Sequence, residues 1–430
     1  MSTNIKLPKD WKWIKLNDVA DITSSKRIFQ EEYVPSGIPF YRTKEIKELS
    51  EGKELTFDLF ISNEKYNEIK SRFAIPKKGD ILLSAVGTIG ISYIIKDNKP
   101  FYFKDGNLMW LRDLKNIDAN YLSYGLTNFI KNKKGAKTSG SAYSALTIET
   151  IKNFDFPLPP LSTQQAIVSK IEELFSELDN GIANLKNAQQ QLKTYRQSVL
   201  KWAFEGRFTS PSPRGEGWGE VKDDELPKGW KTQTLKELSY LITKGASPKW
   251  QGINYTEDSS QVLFITSENV RENYIDISKP KYLEESFNEK QKRSILKNGD
   301  ILINIVGASI GRAAIYNLNF NANINQAVSI VRLKPEVDNR FISYFLNSNK
   351  AFSYYNLNKV DVARANLSLV DIGNIGLSIP QYEEQIMVVQ EIETRLSVAD
   401  KMEESINQSL QQAEALRQSI LKKAFSGELV

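Results

Sequence analysis

The sequence predicts an α+β protein: two mixed α/β globules joined by two long helices that pair as an antiparallel coiled coil, the whole built by internal duplication with pseudo-two-fold character. Three observations carry this prediction. Blocks of the first half recur, in order, in the second. Each half opens on short β-type runs separated by turns. Each half closes on a proline-free stretch of heptad-spaced apolar residues.

The duplication comes first, because a missed repeat misreads the whole fold. LPKDWKWIKL (7–16) returns as LPKGWKTQTL (226–235), at an offset of 219. KKGDILLSAVGTIG (77–90) returns as KNGDILINIVGASIG (297–311), its GDIL block at 220. NFDFPLPPLSTQQ (153–165) faces NIGLSIPQYEEQI (374–386), which sets Pro159 over Pro380 and Gln164 over Gln385. RQSVLKWAFEG (196–206) matches RQSILKKAFSG (417–427) at 8 of 11 positions, at an offset of 221. Kept order and a drift of two residues mark whole duplicated modules, far longer than solenoid repeats.

Within each copy, GDILLSAVG and GDILINIVG place a Gly-Asp turn before an Ile/Leu/Val run, the pattern of a buried strand. AYSALTIETIKNF reads as a short helix feeding a strand. After Pro159-Pro160-Leu161, Ser162 reads as a helix N-cap with Gln165 in capping-box position. The first seam comprises Ile167, Ile171, Leu174, Leu178, Ile182, Leu185, Leu192, Tyr195 and Val199. The second comprises Val388, Ile392, Leu396, Ala399, Ile406, Leu410, Ala413, Leu416 and Ile420. Only Gly181 interrupts the first helix, and Gly206 and Gly427 are the expected stops. About 42 residues at 1.5 Å rise give roughly 60 Å, which outruns a globule of this size, so each seam needs a partner and the other copy is the natural one. Antiparallel pairing would set the globules at opposite ends of a rod. The resulting segments are 1–160 (first globule), 161–206 (long helix), 207–225 (Pro/Gly-rich, charged linker), 226–381 (second globule) and 382–427 (long helix).

Composition excludes much chemistry. The 430 residues contain no Cys and no His, which removes disulfides, thiolate metal sites, the Cys nucleophile, Ser-His-Asp catalysis and the commonest general base. No GxxxxGK[ST], GxSxG or Asp/Asn-Pro-Pro-aromatic motif occurs. VGTIG and VGASIG lack the full GxGxxG spacing and read as turns after a strand. Asp58 with Glu68-Ile69-Lys70 is a nuclease-like combination of the kind expected by chance among so many charges. No metal site is expected. Neither a signal core nor an 18-residue apolar span is present, so a soluble cytoplasmic protein is expected, with no membrane partner.

A net charge of +5 permits nucleic acid as partner without requiring it. The polar clusters of the globules supply candidate contacts with double-stranded DNA. In the first copy they are Lys26, Arg27, Arg42, Thr43, Ser84, Thr88, and Lys134, Lys137, Ser139 and Ser141 of KNKKGAKTSGSAYS. In the second they are Lys244, Lys249, Thr266, Ser267, Asn269, Asn304, Ser309, Asn323, Asn325 and Arg364. Lys, Ser and Thr suit phosphate oxygens, and Asn and Arg suit base edges.

A repeated unit reading LPxxW, GDIL, VGxxG, PLPPLxxQ and IEELF, closed by a helix ending RQSxLKxAFxG, resembles the specificity subunits of Type I restriction-modification systems. The resemblance covers essentially the whole chain. It implies that each globule is a target recognition domain reading one half of a bipartite, asymmetric site. It implies that the helices set the spacing and hold two modification subunits, which carry S-adenosylmethionine and methylate adenine. Restriction subunits would add an ATP- and Mg-dependent nuclease, while this chain carries no cofactor and catalyses nothing. The second copy departs from the first in QYEEQ (381–385) against LSTQQ and in Arg395 against Leu174. The alternatives are a coiled-coil scaffold that binds only proteins, and an enzyme with unrecognised motifs, which S-adenosylmethionine binding by the isolated chain would favour.

Overall fold

A Gly-Asp turn followed by three consecutive aliphatic residues starts a buried strand, and that strand lies inside a sheet in each copy. In the computed structural model, which describes residues 7–135, 146–209, 228–360 and 365–430, Ile81–Ser84 and Ile301–Asn304 are buried throughout. Gly79 and Gly299 precede them at φ +92° in both copies, a conformation that glycine adopts without strain. The chain divides into two compact units, one of Met1–Leu185 with Gln408–Val430, the other of Lys186–Asn407.

The first unit holds an antiparallel sheet in the order Asp21–Thr23, Leu108–Arg112, Ile81–Ser84, Ser92–Ile94. A second sheet runs Tyr33–Val34, Phe60–Ile61, Ile38–Tyr41, Tyr102–Phe103, its last pair parallel. Lys12–Lys15 pairs with Asp155–Leu158. The second unit repeats this strand for strand. Its sheets run Ser239–Lys244, Val328–Leu333, Ile301–Asn304, Ala313–Ile315 and Tyr255–Thr256, Tyr282–Leu283, Val262–Ile265, Ala322–Ile324, with Lys231–Thr234 on Gly376–Ile379. The short helix expected before the last strand is Ile148–Lys152.

The long helices are Leu161–Phe204 and Tyr382–Ser426, 44 and 45 residues. The first begins at Leu161, so Ser162 lies inside its first turn and does not cap it, and the Gln164 amide N–H closes that turn on the Pro160 carbonyl. The anchor is instead the Gln164 side chain, fully buried. Its oxygen accepts from the Asp118 backbone N–H (2.7 Å), and its Nε2 donates to the Pro159 and Asn116 carbonyls. Gln385 repeats this with Asp338 (2.8 Å) and Pro380 (3.0 Å). Both helices stop as expected. Gly206 and Gly427 are left-handed, and Arg207 N–H and Glu428 N–H reach back to the Trp202 and Lys423 carbonyls, the six-to-one closure of a Schellman end.

Every seam position of the two helices is buried or half-buried except Leu416, which is exposed. The helices run antiparallel. In the second unit Gln189 meets Asn407, and Arg196 meets Asp400 (2.7 Å) and Glu403 (2.9 Å). In the first unit Arg417 meets Asp179 and lies over the Phe175 ring.

The compact units do not coincide with the sequence copies. Ile167, Val168 and Ile171 enter the core of the first unit, but so do Ile420, Leu421, Ala424 and Phe425 from the far end of the other helix. In the same way Val199, Leu200, Ala203 and Phe204 enter the second unit's core beside Val388, Val389 and Ile392. Each globule is completed by the start of its own helix and the tip of the other. The Trp of each LPxxW block lies in the same place: Trp11 beside the Phe425 cluster, Trp230 buried with its Nε1 donating to Glu384. Glu384 belongs to the departing QYEEQ sequence, and Arg395, the other departure, lies over Phe208 and bonds to Glu391.

Candidate nucleic-acid interface

Exposure sorts the candidate contacts. In the first unit, Lys26 and Arg27 stand in solvent on the loop leaving strand Asp21–Thr23. That loop is tethered from below: Ser24 Oγ donates to the Leu108 carbonyl, Ser25 Oγ to that of Phe103, and Lys26 N–H to the Tyr102 hydroxyl. Lys26 Nζ sits 4.7 Å from the Phe73 ring centre, and Arg27 gives one nitrogen to Asp105. In the second unit the corresponding loop exposes Lys244 and Lys249. Gly245 at its base has no room for a side chain, since a Cβ would lie 1.8 Å from the Ile324 carbonyl oxygen. Thr88 is exposed and Ser267 half-exposed, each giving its carbonyl to an internal partner.

Several candidates are structural instead, which corrects the sequence reading. Ser84, the last residue of strand Ile81–Ser84, donates to the Thr88 carbonyl and accepts from Ile91 N–H, closing the VGTIG turn. Asn304, its counterpart, is fully buried and donates to Ser267, Val270 and Ser309. Asn323 is fully buried against Asn288 and Gln291. Thr266 and Asn269 bond to each other, Asn269 also to Asp276, and Asn325 caps Ala327 N–H. Thr43 opens helix Thr43–Ser50 with its hydroxyl buried. Arg42 is held by Glu45 (2.7 Å) and Asp58. Burial pushes the Glu45 carboxyl up, but the Arg42 guanidinium and backbone hydrogen bonds outweigh it and hold the group below its ordinary value. A doubly paired guanidinium has little left for a phosphate. Composition cannot separate an amide that faces solvent from one that holds a turn. The nuclease-like trio disperses likewise: Asp58 on Arg42, Glu68 on Lys65 and Arg72. Lys134 lies in helix Ala119–Gly135, its side chain outside the description, and Lys137, Ser139, Ser141 and Arg364 lie outside the described residues.

The sequence reading missed a groove that each unit builds where the helix pair meets its globule. In the first unit its lining includes Tyr124, Glu172, Phe175, Ser176, Asp179, Arg417 and Leu421. In the second it includes Tyr344, Glu393, Leu396, Ser397, Asp400, Arg196 and Leu200. These correspond position by position at offsets of 220 and 221, and only Phe175/Leu396 differs. Burial pushes both phenols, Tyr124 and Tyr344, above their ordinary range. Glu272 and Glu403 also line the second groove, so both grooves carry more carboxylates than cations. Extending the repeat comparison from the RQS block to Tyr124/Tyr344 and Glu172/Glu393 would have exposed the pairing.

Among the described residues, no group of three or more acidic side chains could hold a metal ion, and no helix is long and apolar enough to cross a membrane.

The comparisons with known proteins agree with this architecture. The sequence signature of the Type I restriction modification DNA specificity domain matches residues 8–192 and again 227–415. A Haemophilus influenzae protein bearing the name of a type I restriction enzyme specificity subunit is 33% identical over 198 residues, 45% of this chain and 48% of that protein. The Escherichia coli EcoBI specificity subunit is 31% identical over 238 residues, 53% of this chain and 48% of the relative, so the chain spans about half the length of both. The MjaVIII specificity subunit of Methanocaldococcus jannaschii is 24% identical, over 80% of this chain and 76% of its own length. Among solved structures, a chain of a type I restriction-modification system superposes with a TM-score of 0.73 at 19% identity, covering 98% of this chain and 99% of that one. The HsdS subunit from Thermoanaerobacter tengcongensis gives 0.58 at 18%, covering 99% of each. With two matched copies of the domain, on a fold duplicated strand for strand, this chain belongs to the Type I restriction-modification DNA specificity family.

Proposed function

We propose that the chain is the DNA-specificity subunit of a Type I restriction-modification enzyme. Each globule reads one half of a bipartite, asymmetric site, and the paired helices set the interval between the halves. Two modification subunits dock on the chain and methylate adenine. They bring the S-adenosylmethionine, restriction subunits bring the ATP and Mg chemistry, and this chain catalyses nothing and works in the cytoplasm.

One observation carries the reading: the two copies agree where a common partner would need agreement and differ where different bases would be read. The grooves match at all but one of the aligned positions named above, and the helix tips at 8 of 11. The exposed loops hardly match, Ser24-Ser25-Lys26-Arg27 standing against Lys244-Gly245-Ala246-Ser247. A surface present twice favours a partner bound in two copies. The excess of carboxylates in the grooves suits a Lys- or Arg-bearing element of that partner and repels a phosphate backbone.

The test is co-expression with the neighbouring modification subunit in an unmethylated host, followed by genome-wide mapping of N6-methyladenine. One interrupted bipartite motif is expected. Absent or unpatterned methylation from an assembled complex overturns the reading and leaves the chain a protein-binding scaffold. Charge reversal at Glu393 should lower the number of modification subunits bound per chain in native mass spectrometry.

A further inference from the structure

Each globule holds an exposed aromatic side chain on the same loop, and the specificity function alone does not require it. In the first unit the loop joins strand Asp21–Thr23 to strand Tyr33–Val34; in the second it joins Ser239–Lys244 to Tyr255–Thr256. The two are equivalent by pairing: Thr23 lies opposite Trp110 and Thr243 opposite Ile330, at the common offset of 220. Near the middle of the loops stand Phe29, 59% exposed, and Trp250, 88% exposed, the most exposed large apolar side chain among the described residues.

A single exposed apolar residue needs no explanation. Three features set this pair apart. The same loop exposes an aromatic ring in both copies although the surrounding loop sequences differ. Each ring is flanked by cations at the surface, Lys26 and Arg27 in one copy, Lys244 and Lys249 in the other. Each loop is also stiff beneath the ring. Phe29 N–H donates to Glu32, while the second loop's 3-10 turn, Lys249–Gln251, is closed by left-handed Gly252 and pinned by Lys290 Nζ on the Gln251 carbonyl (2.8 Å). A solvated ring carried on hydrogen-bonded backbone between cations suits a base step whose flanking phosphates the cations contact.

We propose that Phe29 and Trp250 are the DNA-insertion residues of the two globules, each wedging into a base step of its own half-site. This rests on the specificity reading above and adds to it the element that deforms the duplex.

The test uses the full chain assembled with its modification subunits and two probes. One is a duplex carrying the mapped motif, with 2-aminopurine stepped through both halves. The other is a mixed-sequence duplex. A fluorescence rise is expected at one step in each half-site. Trp250→Ala should abolish one rise and Phe29→Ala the other, each weakening binding to the motif on the order of tenfold. Trp250→Phe should keep most of both effects. Neither alanine variant should change the salt dependence of binding, whereas Lys249→Ala should lower its slope by about one and leave the fluorescence rise in place. The insertion is overturned if both rises persist in the alanine variants, if the loss appears as a change of salt slope, or if the variants instead fail to assemble with the modification subunits. A wild-type complex that binds neither duplex overturns the specificity reading itself. A wild-type complex that binds, with variants indistinguishable from it, overturns the insertion alone.

Discussion

The two helix tips carry nearly the same residues but enter different cores. Phe204 meets Phe341 and Phe345 edge-on, each at 5.2 Å, in the second unit. Phe425 packs on Tyr121 at 4.9 Å and Phe156 at 5.8 Å in the first. The helical position that holds Phe345 in one globule holds Gly125 in the other, and the strand position that holds Phe156 in one holds Leu377 in the other. A ring lost from the helix is replaced by a ring gained on the strand, so the same phenylalanine wedge fits both. A Cβ on Gly125 would lie 2.3 Å from the Phe156 ring and 2.9 Å from the Phe425 ring, so the glycine is there for space. The difference teaches that the globules diverge under a constraint: whatever their loops read, each must leave a socket for the other copy's helix tip.

The sharpest way to break this comparison is to remove a tip. Phe425→Ala should cost about 3–5 kcal/mol, and the loss should fall on the first unit. Hydrogen exchange should loosen Leu122 and Phe156, while Phe204→Ala should loosen Phe341 and Ile342. Protection lost instead around each tip's own sequence copy would refute the exchange of tips. Next comes the socket. Gly125→Phe should destabilise the first unit by about 1–3 kcal/mol through overpacking, and adding Phe156→Leu should restore most of it, which denaturant melts of the single and double variants would read. For the same reason, a domain exchange ending at residue 155 parts Gly125 from Phe156, and one extended through Leu158 should express better. Smaller in reach is the glutamine anchor. Gln385→Leu orphans the buried Asp338 N–H and should cost about 1–3 kcal/mol, with Gln164→Leu costing the same within error if the anchors are equivalent. The smallest effect is expected at Gly181, exposed mid-helix with nothing within 4 Å of its Cβ position. Gly181→Ala should stabilise by about 0.5–1 kcal/mol, seen as a small rise in midpoint, and leave partner binding unchanged.

Much of the fold was legible. Heptad spacing named the buried faces of the long helices, glycines marked their ends, and GDIL marked the central strands, because periodicity and left-handed stops are local properties. The candidate contacts were less legible. Ser84, Asn304 and Asn323 share their residue types with the exposed candidates, and only burial distinguishes them. Ser162 fits the N-cap pattern, yet the helix starts a residue earlier and takes its anchor from Gln164, whose partner Asp118 is distant in sequence. Arg42 looks like a free cation until Glu45 and Asp58 are placed beside it.

By itself, the sequence determined that the chain is a duplication, that each copy pairs a globule with a long seam, and that the commonest catalytic side chains are absent. These are statements about order, period and composition, and none requires distant residues to meet. Only the tertiary structure decided that each helix tip completes the other copy's globule, that matching grooves form beside the helix pair, and that Phe29 and Trp250 stand exposed on equivalent loops. Each depends on contacts or exposure set by residues far apart in the chain, and local propensity carries no record of them.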